Sequence, residues 1–186
     1  MSSSRLEAFS DGVLAIIITI MVLEIEPPEH YTLESLHGVL PQFLSYLVSF
    51  IYVGSYWNHH HHLFQCVAEV KGWVLWSNLH FLFWLSLVPV STAWLGQSHE
   101  AFIPVLFYGL VLAMSAISFM LLHLSIAEVS GGSTTLIGFA PRKAIVSLLI
   151  YLFAMIISYS NTYVACAMYA LVLFLWFSPV KYSRED

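Results

Sequence analysis

Charged side chains stand at the head of an apolar run near the start of the sequence. Arg5, Glu7 and Asp11 precede the uncharged stretch GVLAIIITIMVL, residues 12–23. If this run crosses a membrane, a carboxylate within it must face protein or water and needs a partner. Arg5 is the candidate partner of Asp11, on its own helix or on a neighbouring one. Such a pair could hold helices together, or it could serve the transport of protons or ions.

A second polar group is the run of histidines in NHHHHLF, residues 58–64. Consecutive residues of a helix point in different directions, and only His59 and His62 share a face. A tetrahedral metal site needs converging ligands, and no second histidine or cysteine cluster supplies them. We therefore expect these residues at a membrane interface, and we expect His80 and His123 to form hydrogen bonds between helices.

The composition points to a membrane protein. Of the 186 residues, 59% are hydrophobic and only 9% are charged, whereas soluble domains are about 25% charged. The net charge of −5 provides no basic surface for nucleic acid. Cys66 and Cys166 are too few for a disulfide framework, and we predict no metal site from them. The N-terminus lacks the pattern of a cleaved signal peptide, so the first apolar segment is expected to remain in the protein.

Six apolar segments are long enough to cross a bilayer as helices, which takes about 20 residues. They form one predicted all-α transmembrane domain over residues 1–186, with spans at about 5–23, 40–60, 72–95, 101–127, 142–158 and 162–180. We place Pro41 in the first turn of the second span, where its missing N–H costs little. GGST at 131–134 and SYSN at 158–161 predict turns before and after the fifth span.

The charges predict the orientation of these spans. If the N-terminus is cytoplasmic, all basic residues lie on that side: Arg5, Lys71, Arg142, Lys143, Lys181 and Arg184. The first two outer connections then carry only acidic residues: Glu24, Glu26, Glu29, Glu34 and Glu100. This is the positive-inside pattern, and it predicts a multi-pass protein of the cell membrane with both termini in the cytoplasm.

The first span must include its charged residues. A helix starting at Gly12 would keep about 14 residues and reach only about 21 Å, too short to cross. Further along this helix, Ile16, Ile20 and Leu23 recur at i, i+4 and i+7 with Thr19 beside them, which defines one face. This face could be ordinary packing against another helix, or it could line a pore as a hydrophobic constriction.

The stretch YVGSYW, residues 52–57, is similar to the loop of a conventional potassium filter. Such a filter needs a re-entrant carbonyl loop beside a short pore helix. The flanking residues continue a full-length span and leave no room for this loop, so we predict no carbonyl filter.

The start of the chain resembles the signature of the transmembrane protein 175 family. RLEAFSDG, residues 5–12, contains Arg5 and then Phe9, Ser10 and Asp11, and an Ile/Thr-rich helix ending in LEI follows. YWNHHHHLF at 56–64 is similar to that family's tryptophan and histidine pattern. The six-span layout covers essentially the whole chain.

The resemblance implies a potassium-selective channel, not an enzyme, that needs no cofactor besides the permeant potassium ion. It implies a homotetramer of single-repeat chains in which the first helices line a central pore. Ile16 then forms the main constriction, with Ile20 and Leu23 as the next rings and Thr19 at a position linked to selectivity. The implied structural polar network consists of Arg5, Phe9, Ser10 and Asp11.

Together these features predict a potassium channel whose apolar rings act as gate and selectivity element. Glu24 and Glu26 would concentrate cations at the outer mouth. The alternative is a proton-coupled or metal-ion transporter using Asp11 and the cluster His59–His62. That class predicts inverted repeats and helices broken at mid-membrane, and the sequence shows no such repeat. An intramembrane enzyme would need a convergent catalytic pair, and none is evident.

Overall fold

The computed structural model describes residues 2–28, 30–65, 67, 70–130 and 140–176, with the main chain only at 140 and 141. This part of the chain folds into seven α-helices: α1 (Ser3–Leu23), α2 (Leu33–Phe64), α3 (Gly72–Ser86), α4 (Val88–Gln97), α5 (Phe102–Val129), α6 (Ala140–Ile157) and α7 (Thr162–Trp176). The predicted features at Glu29, Cys66, 131–134, 177–180, Lys181 and Arg184 lie outside the described residues.

Within these described ranges, four helical segments are long and apolar enough to cross a membrane. They are α1, α2, the combined Gly72–Gln97 and α5, while α7 is a shorter apolar helix. The all-α prediction is therefore confirmed and four spans are supported by length and composition. The count of six spans stays a prediction.

The α1 helix starts at Ser3 and includes Arg5 to Asp11, in agreement with the length that a spanning helix requires. The α2 helix differs from its predicted bounds at both ends. It starts at Leu33, where Thr32 and Ser35 form a capping box that satisfies the first free N–H groups. Pro41 consequently lies in the interior of α2, so its predicted place in the first turn was wrong.

The third predicted span is divided at Leu87 into α3 and α4. Pro89 lies two residues further and cannot donate the helical hydrogen bond that residue 85 would accept. The chain resumes a helix because the Ser91 N–H reaches the Leu87 carbonyl at 3.1 Å. The YVGSYW stretch lies inside α2 without interruption, which agrees with the absence of a re-entrant filter there.

The helices form a bundle around α5, which packs against α3 and α6, while α1 lies against α2, α3 and α4. A buried cluster of tyrosines joins α2, α5, α6 and α7. The Ser49 and Tyr108 hydroxyls lie 2.9 Å apart, and Tyr151 donates to the Tyr52 hydroxyl at 3.1 Å. Gly109 makes room for Tyr169, because a Cβ at this position would overlap the Tyr169 side chain.

The bundle has two electrically distinct ends. We name the basic end for Arg5, Lys71, Arg142 and Lys143, and the acidic end for Glu24, Glu26, Glu34 and Glu100. The α1 helix begins at the basic end, next to the end of α2 and the start of α3. The hairpin SYSN joins α6 to α7 at the acidic end, where the Asn161 side chain accepts from the Val164 N–H at 3.0 Å.

Candidate functional site

The α1 helix has one face that packs into its own bundle. Leu6, Ser10, Leu14, Ile17 and Met21 are all buried. They recur every three or four residues, which places them along one side of the helix. Ile17 is only 3% exposed. This buried face therefore holds α1 in the bundle.

A second face of α1 is apolar and exposed. Ile16 is 58% exposed, Ile20 is 40% exposed and Leu23 is 80% exposed, and Phe9 continues the same face toward the basic end at 52%. We call Ile16, Ile20 and Leu23 the α1 stripe. The chain's own described helices leave this stripe largely uncovered, although its side chains are large and apolar. The predicted constriction residues thus lie together on a surface that lipid or another copy of the chain must cover.

Thr19 lies on the same exposed face, beside the stripe. Its hydroxyl donates a hydrogen bond to the Ile16 carbonyl at 2.9 Å. The proton is therefore used within the helix, and the oxygen keeps lone pairs that can accept. This side chain can offer an oxygen ligand to a cation on an otherwise apolar surface.

A groove of about 320 Å³ runs along the α1 stripe toward the break between α3 and α4. Ile16, Ile20 and Glu24 line one wall, and Pro89 and Val90 line the other. Glu24 and Glu26 are both exposed at the acidic end of α1. Two carboxylates per chain thus stand where α1 emerges from the bundle.

The polar network at the basic end is centred on Asn78 of α3, which is fully buried. The Asn78 amide donates to the Ser10 hydroxyl at 2.9 Å, and Ser10 donates to the Leu6 carbonyl at 2.9 Å. The Asn78 carbonyl oxygen lies 2.8 Å from Nε2 of His60 and accepts its proton. One side chain therefore ties α1, α2 and α3 together.

Asp11 is held by Trp57 of α2, whose indole N–H donates to the carboxylate at 2.9 Å. Within the described residues Arg5 is exposed and forms no ion pair with Asp11. The predicted pairing of Asp11 with Arg5 is thus replaced by a hydrogen bond from another helix. Of the four residues predicted for this network, Ser10 and Asp11 are joined to other helices, while Arg5 and Phe9 point outward.

Glu7 forms a third link between α1 and α2. Its carboxylate lies 2.5 Å from Nδ1 of His61. Nε2 of His61 accepts from the Gln65 amide at 2.8 Å, which leaves Nδ1 as the donor to Glu7. Both ring nitrogens of His61 therefore have a hydrogen-bond partner.

The four histidines of α2 have different partners. His59 packs edge-on against Trp176 with ring centroids 4.9 Å apart, whereas His60 and His61 bond to Asn78 and Glu7. His59 and His60 are buried in the bundle within the last two turns of α2, and their predicted place at the membrane interface stays a prediction. No group of three or more potential metal ligands occurs in the part of the chain that the structure describes.

Two further sequence predictions concerned single histidines. His80 bonds within its own helix, where it accepts from the Trp84 indole at 3.0 Å. Nε2 of His123 is buried and has no hydrogen-bond partner among the described residues. Within the part of the chain that the structure describes, these two side chains form no hydrogen bond to another helix.

Sequence reasoning missed Asn78, Glu7 and the donor role of Trp57. A signal existed for Asn78, because an amide inside an apolar span is costly unless another helix satisfies it. The sequence gives no such signal for Trp57, since tryptophan at the end of a span is typical of any membrane interface.

Comparisons with known proteins agree with this architecture. The family model described as Endosomal/lysosomal potassium channel TMEM175 matches residues 5–89. A potassium channel from Chryseobacterium sp. (strain P1-3) is 50% identical over 183 residues, which cover 97% of this chain and 95% of the relative. The endosomal/lysosomal proton channel TMEM175 of Gallus gallus is 33% identical over 103 residues, and the match covers only 21% of that longer protein.

A solved structure has the same fold. The crystal structure of a lysosomal potassium-selective channel TMEM175 homolog from Chamaesiphon minutus superimposes with a TM-score of 0.81 at 26% identity, and it covers 94% of this chain and 96% of that chain. The Chryseobacterium relative is 50% identical over nearly the full length of both chains, and the family model matches residues 5–89. The chain belongs to the TMEM175 family.

Proposed function

We propose that this chain forms a potassium-selective channel in which the α1 stripe lines the pore. The observation that carries the proposal is the exposure of Ile16, Ile20 and Leu23 on one face of α1, while another face of the same helix is buried. The Chryseobacterium relative and the Chamaesiphon structure are both described as potassium channels, which supports the choice of ion.

A pore of this kind requires several copies of the chain. A single α1 helix cannot surround an ion path, so copies must meet around an axis that the stripe faces. We propose a homotetramer in the cell membrane with both termini in the cytoplasm. The positive-inside arrangement of Arg5, Lys71, Arg142 and Lys143 at one end supports this orientation.

The selectivity mechanism follows from hydration. In a fourfold pore Ile16, Ile20 and Leu23 repeat as stacked apolar rings. An ion that passes an isoleucine ring sheds part of its water, and potassium loses its shell at a smaller cost than sodium. The oxygen of Thr19 offers partial compensation between the rings. Glu24 and Glu26 raise the cation concentration at the acidic mouth. No cofactor takes part besides the permeant ion.

The test is a flux assay with a matched control. We expect Ile16→Asn to raise potassium flux into liposomes several-fold and to reduce the preference for potassium over sodium, because an amide wets the constriction. Val22→Asn is the control, since Val22 is 46% exposed on the same helix but lies off the stripe. Unchanged flux and selectivity in Ile16→Asn would remove this residue from the constriction.

Proton permeation is a second candidate, because the Gallus gallus relative is described as a proton channel. A pH-sensitive dye inside the same liposomes measures it directly. The histidine cluster gives a transporter little support, because His59, His60 and His61 contact three separate partners.

A further inference from the structure

The acidic end of the bundle contains a second concave site, away from α1. It is a cavity of about 360 Å³ between α2 on one side and α4, α5 and α7 on the other. This volume lies within the range of small-molecule and cofactor sites, roughly 300–1,000 Å³. The proposed pore does not use it, since none of its lining residues belongs to α1.

The walls of this cavity are apolar and elongated. Leu40, Leu44 and Val48 follow one another at i, i+4 and i+8 along α2 and line it together. Cys166 and Tyr169 of α7 form part of the facing wall. The cavity therefore follows the helices as a groove, a shape suited to a flexible hydrocarbon chain.

The mouth of the groove is polar and has the Glu100 carboxylate beside it. Tyr163 lines the groove and donates its hydroxyl proton to Glu100 at 2.7 Å. Tyr163 and Glu100 also line a separate hollow together with Ser160 and Asn161. An apolar groove and a polar hollow thus meet at one residue.

A further polar group at the mouth lacks a partner. Nδ1 of His99 is buried and has no hydrogen-bond partner among the described residues. His99 lines the groove, and its ring lies edge-on to Tyr163 with centroids 5.8 Å apart. A ligand group that donates or accepts a hydrogen bond would satisfy this nitrogen.

The charge at the acidic end determines which kind of lipid headgroup fits beside the groove. The connections that carry Glu24, Glu26, Glu34 and Glu100 contain no lysine or arginine. A lipid with only a negative headgroup would meet a carboxylate there without a compensating cation. A primary ammonium group, with three donors, complements the Glu100 carboxylate, which accepts from Tyr163 and keeps further lone pairs.

We propose that this groove binds a zwitterionic aminophospholipid, with an acyl chain along Leu40, Leu44 and Val48 and its ammonium group at Glu100. The phosphate then lies within reach of the His99 ring, which can donate a proton or accept one. This site is independent of the pore, so its test needs no conduction.

Native mass spectrometry of the detergent-solubilised protein tests the proposal, with phosphatidylethanolamine and phosphatidylglycerol added in equal amounts. We expect the original protein to retain phosphatidylethanolamine preferentially. Glu100→Gln should weaken that binding roughly tenfold, the effect of losing one charge-assisted hydrogen bond. Glu26→Gln, at an exposed carboxylate of the same end, should leave binding unchanged. Equal retention of both lipids, or equal binding by the Glu100→Gln variant, would overturn the proposal.

A second experiment identifies the occupant in a bilayer and leaves Glu100 and His99 in place. A photo-crosslinking amino acid at position 163, an exposed side chain at the groove mouth, is activated in liposomes that contain phosphatidylethanolamine. Attachment of this lipid supports the proposal. Crosslinks to another copy of the chain, or attachment at the same yield from position 153, whose side chain is equally exposed on α6, would contradict it.

Discussion

The two halves of α1 differ in the surroundings of their side chains. At the basic end, polar groups are satisfied inside one chain, since Asn78 bonds to Ser10 and Trp57 bonds to Asp11. Further along, Ile16 and Leu23 are 58% and 80% exposed, although both are large and apolar. The polar groups at the basic end therefore have partners within the chain, whereas the described helices leave the α1 stripe uncovered.

The two halves of α1 therefore have different structural roles. A buried hydrogen-bond network orients a helix precisely in angle and depth because each unpaired group would be costly. An uncovered apolar stripe must be covered by lipid or by another copy of the chain. The network at the basic end therefore also fixes the direction in which the stripe faces.

The largest contrast is expected between two adjacent isoleucines. Ile17→Asn places an amide in the packed face and should lower the free energy of unfolding by about 3–5 kcal/mol. Ile16→Asn, on the exposed face, should lower it by less than about 1 kcal/mol. Denaturant titration of both proteins in detergent measures the difference. Equal losses of unfolding free energy in the two variants would show that Ile16 and Ile17 do not lie on differently buried faces.

The network at the basic end is tested by removing its centre. Asn78→Leu leaves the buried Ser10 and His60 without their partner and should cost about 2–4 kcal/mol. Asn58→Leu, at an exposed position of α2, makes the same chemical change outside the network and should be nearly neutral. Thermal unfolding followed by size-exclusion chromatography compares the two. A stable Asn78→Leu protein would refute the role of this amide.

A smaller effect is expected at the contact between Trp57 and Asp11. Trp57 is 45% exposed, so Trp57→Phe keeps an aromatic ring and removes one partly hydrated hydrogen bond, which should cost about 1 kcal/mol. Trp73→Phe serves as the control because Trp73 is 77% exposed. If both variants melt at the same temperature, the indole of Trp57 does not hold α1 in place.

The sequence predicted the start of α1 because the length of a spanning helix excludes a start at Gly12. It was less informative for α2, where Pro41 indicated a helix start although the capping box at Thr32 begins the helix earlier. The break at Leu87 was not predicted, although Pro89 lies close to it. A proline alone does not reveal whether a long span bends or divides.

Periodicity could not separate the two faces of α1. Leu14, Ile17 and Met21 are as apolar and as regularly spaced as Ile16, Ile20 and Leu23, so burial depends on helices far away in the chain. The partner of Asp11 could not be predicted for the same reason. Only the family resemblance distinguished the stripe from a packing face.

The accessibility of the α1 stripe to permeant ions tests the central claim most directly. In a background with serine at Cys66 and Cys166, Ile16→Cys, Leu23→Cys and Val22→Cys are reconstituted in liposomes and treated with silver ions. Silver reacts with thiols and is small enough to follow potassium. We predict that potassium flux falls in Ile16→Cys and Leu23→Cys and is unchanged in Val22→Cys. Block at Val22→Cys alone, or no block at either stripe position, would contradict a pore lined by this face.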